Sequence, residues 1–75
     1  MTKAEFDAGM YELTCRALPK NIWAKTGNGE DDSFLIQSED KEYFEDVFFH
    51  GIRIARGKKS LYLSYDSIIG LEAER

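Results

Sequence analysis

Ile22-Trp23-Ala24-Lys25-Thr26, then Gly27-Asn28-Gly29, then Ser33-Phe34-Leu35-Ile36-Gln37 is the stretch whose reading decides the fold. Two runs rich in β-branched and aromatic residues flank an Asn-Gly pair, and such a pair suits the positive φ that a tight hairpin turn demands. The acids Glu30, Asp31 and Asp32 lengthen the loop. An antiparallel sheet is therefore expected from Ile22 onward.

Further along, Phe48, His50, Ile52 and Ile54 share one parity, and Val47, Phe49, Gly51, Arg53 and Ala55 share the other. Residues 47–55 read as a strand that starts apolar on both faces and ends with one face wet. Gly51 reads as a bulge or bend within it. Arg56-Gly57-Lys58-Lys59 reads as a polar turn into Leu61-Tyr62-Leu63-Ser64-Tyr65, with Leu61, Leu63 and Tyr65 toward the core. Asp66-Ser67 interrupts, and Ile68-Ile69-Gly70-Leu71-Glu72-Ala73 closes the series as a short last strand.

Upstream of the decisive stretch, Thr2 and Glu5 have the spacing of a capping box, in which hydroxyl and carboxylate each satisfy a free backbone N–H at a helix start. Phe6, Met10, Leu13 and Ala17 then fall on one narrow helical stripe, and Glu12 and Arg16 form an i,i+4 pair on the opposite flank. Pro19 and Asn21 end the helix. Two features oppose this: Gly9 costs about 1 kcal/mol in mid-helix relative to alanine, and residues 11–17 alternate as a strand would. The competing reading makes 10–18 a strand, with Pro19-Lys20-Asn21 a hairpin turn.

The expected architecture is α+β. An N-terminal helix packs on a small, strongly bent antiparallel sheet, or on a barrel of about five strands, with an all-β chain as the alternative. In element order this resembles a small SH3-like or Sm-like barrel, and Leu61 to Leu71 is similar to the final two strands of Sm-like proteins. Where that family carries an Arg-Gly-Asp/Asn corner that binds RNA, this chain has Ser64-Tyr65-Asp66-Ser67, without the Arg-Gly.

The chain has 75 residues, one proline and no repeat, so a single domain with one core is expected. Cys15 is the only cysteine, which excludes an internal disulfide and points to a reducing compartment. No signal-like segment opens the sequence and no apolar run approaches the roughly 20 residues of a membrane span. A cytoplasmic, soluble protein without membrane contact is the expectation.

Chemistry is thinly represented. His50 is the only histidine, which leaves no basis for a histidine zinc site, and the acids at 30–46 lack the spacing of a calcium loop. Cys15 reads as a small buried thiol, and His50 as a half-buried strand residue. No nucleophile elbow, P-loop or dinucleotide motif occurs. Neither an enzyme nor a cofactor is expected.

The surface carries more information. Fourteen acids against ten bases give a net charge of −4. Residues 30–46 hold eight acids and Lys41, whereas 51–59 hold Arg53, Arg56, Lys58 and Lys59 with no acid. Such a dipole steers a charged partner. The ten aromatic residues are more than so small a core needs, and uncovered ones pair with another chain. The first functional expectation is a small interaction module, accessory or inhibitory, that works through an aromatic sheet face or edge and self-associates. Tyr43, Phe44, Phe49, Tyr62 and Tyr65 are its candidate contact residues. The second is a single-stranded RNA or DNA binder using Arg53, Arg56, Lys58 and Lys59, against which those cations read as solubilising charges paired with neighbouring acids. A third treats the acids at 30–46 as a nucleic-acid mimic.

Overall fold

The computed structural model describes residues 1–74, and of Glu30 the backbone only. Helix α1 (Lys3–Thr14) opens the chain and is followed by six strands: β1 (Asn21–Lys25), β2 (Ser33–Ser38), β3 (Tyr43–Asp46), β4 (Gly51–Arg56), β5 (Lys59–Ser64) and β6 (Gly70–Glu74). They form two antiparallel three-stranded sheets, ordered β2-β1-β6 and β3-β4-β5. The fold is α+β. Six strands stand where about five were expected, and no strand pairing among the described residues closes the two sheets into a barrel.

The capping box forms as its spacing predicts. Glu5 N donates to Thr2 Oγ1 at 3.1 Å and Thr2 N donates to Glu5 Oε1 at 2.8 Å, and these bonds hold the Glu5 carboxyl below its ordinary pKa. The strand reading of 10–18 is overturned. The helix nevertheless ends at Thr14, three residues short of Ala17. Thr14 Oγ1 turns back to the Met10 carbonyl at 2.7 Å and Cys15 Sγ to that of Glu12 at 3.4 Å. Pro19 further disfavours helical geometry at Leu18. Cys15 consequently sits at the helix end and is exposed, contrary to the buried thiol expected.

Phe6 and Met10 carry the helix into a core shared with Ile22, Ala24, Ile36, Ile52, Ile54, Leu63, Tyr65 and Ile68. Leu13 packs against it and Ala17 is exposed. At Gly9 a Cβ would come within 2.9 Å of Leu71 Cδ1, so the residue that weakens the helix lets it lie close to β6.

The expected strand over 47–55 is corrected. β3 ends at Asp46, residues 47–50 form a turn, and β4 begins at Gly51. Asp46 builds the turn by accepting from Phe49 N at 3.0 Å, an Asx-type interaction, and His50 completes it with φ of 57°. His50 is thus an exposed turn residue and not a half-buried strand one. Gly51 lies where β4 and β5 backbones nearly touch: a Cβ there would fall 2.1 Å from the Leu63 carbonyl oxygen. The hairpin between β4 and β5 has two turn residues, Gly57 and Lys58, since Arg56 pairs with Lys59. Gly57 supplies the positive φ, 59°, that such a loop requires.

After β5 a short 3-10 turn (Tyr65–Ser67) is closed by Ser64, whose Oγ accepts from Ser67 N at 3.3 Å. It drops Tyr65 and Ile68 into the core, and the last strand starts at Gly70 instead of Ile68.

Candidate functional site

Alternation along β4 and β5 sorts their side chains. Ile52, Ile54 and Leu63 are buried and Leu61 packs against the core, so Arg53 and Ala55, with Ser60, Tyr62 and Ser64, project from the opposite side. Register then assembles a row. Phe44 on β3 is opposite Arg53 on β4, and Arg53 is opposite Tyr62 on β5.

The row is held together by its own contacts. The Arg53 guanidinium carbon lies 5.0 Å from the Phe44 ring centroid, within cation–π range. Phe49, brought round by the 47–50 turn, meets the Tyr62 ring edge to face, with centroids 5.3 Å apart and an interplanar angle of 73°. Phe44, Phe49 and Tyr62 remain 45%, 41% and 47% exposed. Beside them Phe48 is 98% exposed and Val47 is also open, an apolar knuckle at the end of the sheet. The small side chains of Ala55, Ser60 and Ser64 leave the aromatic groups standing above the sheet.

The remaining cations, Arg56, Lys58 and Lys59, are exposed around the β4–β5 turn. The expected pairing with neighbouring acids is absent: the ion pairs among the described residues join Lys3 to Asp7 (2.6 Å) and to Glu45 (3.6 Å), and Lys25 to Glu72 (3.4 Å). Residues 47–65 therefore present four cations and no carboxylate.

The five aromatic candidates divide into two groups. Phe44, Phe49 and Tyr62 meet on the outward face. Tyr43 and Tyr65 turn inward against Phe6, with centroids 5.5 Å and 5.4 Å from its ring, and their hydroxyls titrate above the ordinary tyrosine range because burial disfavours the phenolate. The sequence sets Arg53 near Phe48, Phe49, Tyr62 and Tyr65 along the chain, but the stacking of Arg53 on Phe44 and the exposure of Phe48 on a turn were not drawn from it. Parity held the first signal, since Arg53 and Tyr62 each lie between two inward residues. The second was hidden with the turn that carries it.

A shallow cleft of about 350 Å³ lies on the other side of β3, lined by Lys3, Glu45, Asp46, Val47, His50 and Tyr65 among others. It brings carboxylates, one ammonium, one imidazole and the hydroxyl-bearing Thr2 and Tyr65 to an open surface. Among the described residues no group of three or more His, Cys, Asp or Glu side chains could hold a metal ion, and no helix is long and apolar enough to cross a membrane.

Comparison with protein-family models, with curated proteins and with solved structures finds no match. The outward face of β3-β4-β5 has to be interpreted from its own chemistry.

Proposed function

We propose that this protein is a small interaction module, accessory to or inhibitory of a larger partner system, that binds protein through the outward face of β3-β4-β5. The observation that carries this is the row Phe44–Arg53–Tyr62 with Phe49, three half-exposed aromatic rings of which one is packed by the Arg53 guanidinium and two by each other. Aromatic residues and arginine are the types that dominate the energetics of protein interfaces. Side chains ordered beforehand lose little freedom on binding. The face is dominated by aromatic rings and cations, the types that carry binding energy, and the lone thiol of Cys15 suits a reducing compartment such as the cytoplasm. We further read the two sheets as an open relative of the SH3- or Sm-like barrel. Pairing of β1 with β6 and the 3-10 turn before the last strand support that reading.

The test is a photo-crosslinking amino acid placed at Tyr62 or, as a control, at Tyr11, an exposed aromatic residue on α1. In the native host, discrete protein adducts are expected from position 62 and not from position 11. Absence of protein adducts at 62 contradicts the proposal.

Single-stranded nucleic acid is the second reading, favoured by the unpaired state of Arg53, Arg56, Lys58 and Lys59. It requires binding to a labelled oligonucleotide that weakens steeply with added salt. Two features count against it: Arg53 already covers the Phe44 ring that a base would stack on, and the whole chain is acidic.

A further inference from the structure

We infer that a second copy of this chain covers the face, docked so that each copy's basic β4–β5 turn meets the other's acidic β2–β3 turn. This rests on the proposed interaction role and names the occupant.

Charge complementarity selects it. Among the described residues, Arg56, Lys58 and Lys59 have no carboxylate partner, and Glu39, Asp40 and Glu42, which share the turn between β2 and β3 with Lys41, make no ion pair either. One molecule thus displays both halves of a charge match and uses neither half internally.

Topology makes the two halves reachable by symmetry. Tyr43 pairs with Ile54, so the acidic turn, which precedes β3, lies at the same end of the sheet as the basic turn, which follows β4. The two turns are separated sideways, on the β3 and β5 sides. A twofold axis running along β4 between two facing sheets exchanges these sides and keeps the ends. It sets β3 of one copy over β5 of the other, the self-complementary contact of a twofold interface. Phe44 then faces Tyr62 of the second copy, and the acidic turn faces the basic one, twice per dimer. Arg53 leans toward Phe44 and so lies off the axis, where it would otherwise meet its own image.

Size sets the affinity class. Three strands of four to six residues present a face of only about 300 Å², from strand spacings of about 4.8 Å and a rise of about 3.3 Å per residue. That is well under the roughly 800 Å² per partner of a standard interface. A dimer on so small a face is weak and transient, and its charged turns make it sensitive to salt.

Sedimentation velocity on the full chain tests this with two charge-reversed variants, Lys58→Glu with Lys59→Glu, and Glu39→Lys with Glu42→Lys. All four positions are exposed, and circular dichroism checks that both variants remain folded. In low salt the unmodified chain is expected to dimerise as its concentration rises toward millimolar. Each variant alone dimerises at least tenfold more weakly, because both of its contacts become repulsive. An equimolar mixture of the two restores the dimer, since both contacts are then attractive. A monomeric unmodified chain at millimolar concentration overturns the inference, as does a variant that dimerises unimpaired or a mixture that stays monomeric. A chain monomeric alone that shifts only with an added single-stranded oligonucleotide assigns the face to nucleic acid and overturns it too. Crosslinks from Tyr62 to a different protein with a monomeric chain overturn the second copy while leaving the interaction role standing; no protein adducts at all removes both.

Discussion

Phe6 is almost fully buried beneath Tyr43 and Tyr65 and ties the helix to both ends of the second sheet. Truncation of such a ring typically costs about 3–5 kcal/mol, against a total of about 5–15 kcal/mol for a domain. Phe6→Ala should thus leave a large unfolded fraction in urea titrations at room temperature. Tyr62→Ala removes a half-exposed ring with one edge contact and should cost only about 1 kcal/mol, so the outward row can be altered without losing the fold. The tyrosines beneath the helix predict an alkaline limit. Their folded pKa values are raised, so the stability they contribute is present below the ordinary tyrosine pKa of about 10 and is lost as pH rises through the folded values. Chemical denaturation followed from pH 8 to 12 should show stability falling above pH 10, with the fall smaller in Tyr43→Phe. Glu5 acts at the acid end: its pKa is lowered, so its contribution to the helix start fades as pH falls through that lowered value.

At the scale of elements, glycine disclosed where the chain turns back but not always how. Gly57 takes the positive φ its two-residue turn needs, whereas Gly27-Asn28-Gly29 marked the β1–β2 hairpin correctly but not its turn. None of the three has positive φ, and the loop runs through a 3-10 turn at 30–32 closed by Asp32, which accepts from Gly29 N at 3.3 Å and from Thr26 N at 2.7 Å. The β3–β4 turn carries Val47, Phe48 and Phe49, three large apolar residues that read as strand. Only Asp46, through its bond to the Phe49 amide, marks it. The helix start was legible because Thr2 and Glu5 are a complete local signal. Its end was not, because Thr14 and Cys15 stop it by bonding to carbonyls that any helical residue leaves behind. These turns make two predictions. Gly57→Ala places a Cβ at positive φ with open space around it and should cost about 1–2 kcal/mol from backbone strain alone. Gly51→Ala places one against the Leu63 carbonyl and must push β4 from β5. Its thermal midpoint should fall further than that of Gly57→Ala, and amide exchange should quicken across the β4–β5 pair. Equal midpoints would remove the special role of the close approach.

For the whole molecule, the sorting of charge was visible along the chain, but its meaning depended on topology. Residues 30–46 and 51–59 read as acidic and basic stretches, and nothing in their order said that their turns share one end of a sheet. Nor did it say that Arg53 would join Phe44 and Tyr62 in a row, which needs the register of three strands. That row is the feature for which folding offers no reason, since it lies on the side of the sheet away from the core. Its interpretation as the contact face between two copies is tested most directly by two-dimensional NMR of the unmodified chain across a dilution series in low salt. The account predicts concentration-dependent shifts confined to Phe44, Phe49, Arg53, Tyr62 and the turns at 39–42 and 56–59, abolished by high salt. Shifts centred on α1 or on the β2-β1-β6 sheet, or spectra that do not change up to millimolar concentration, would contradict it.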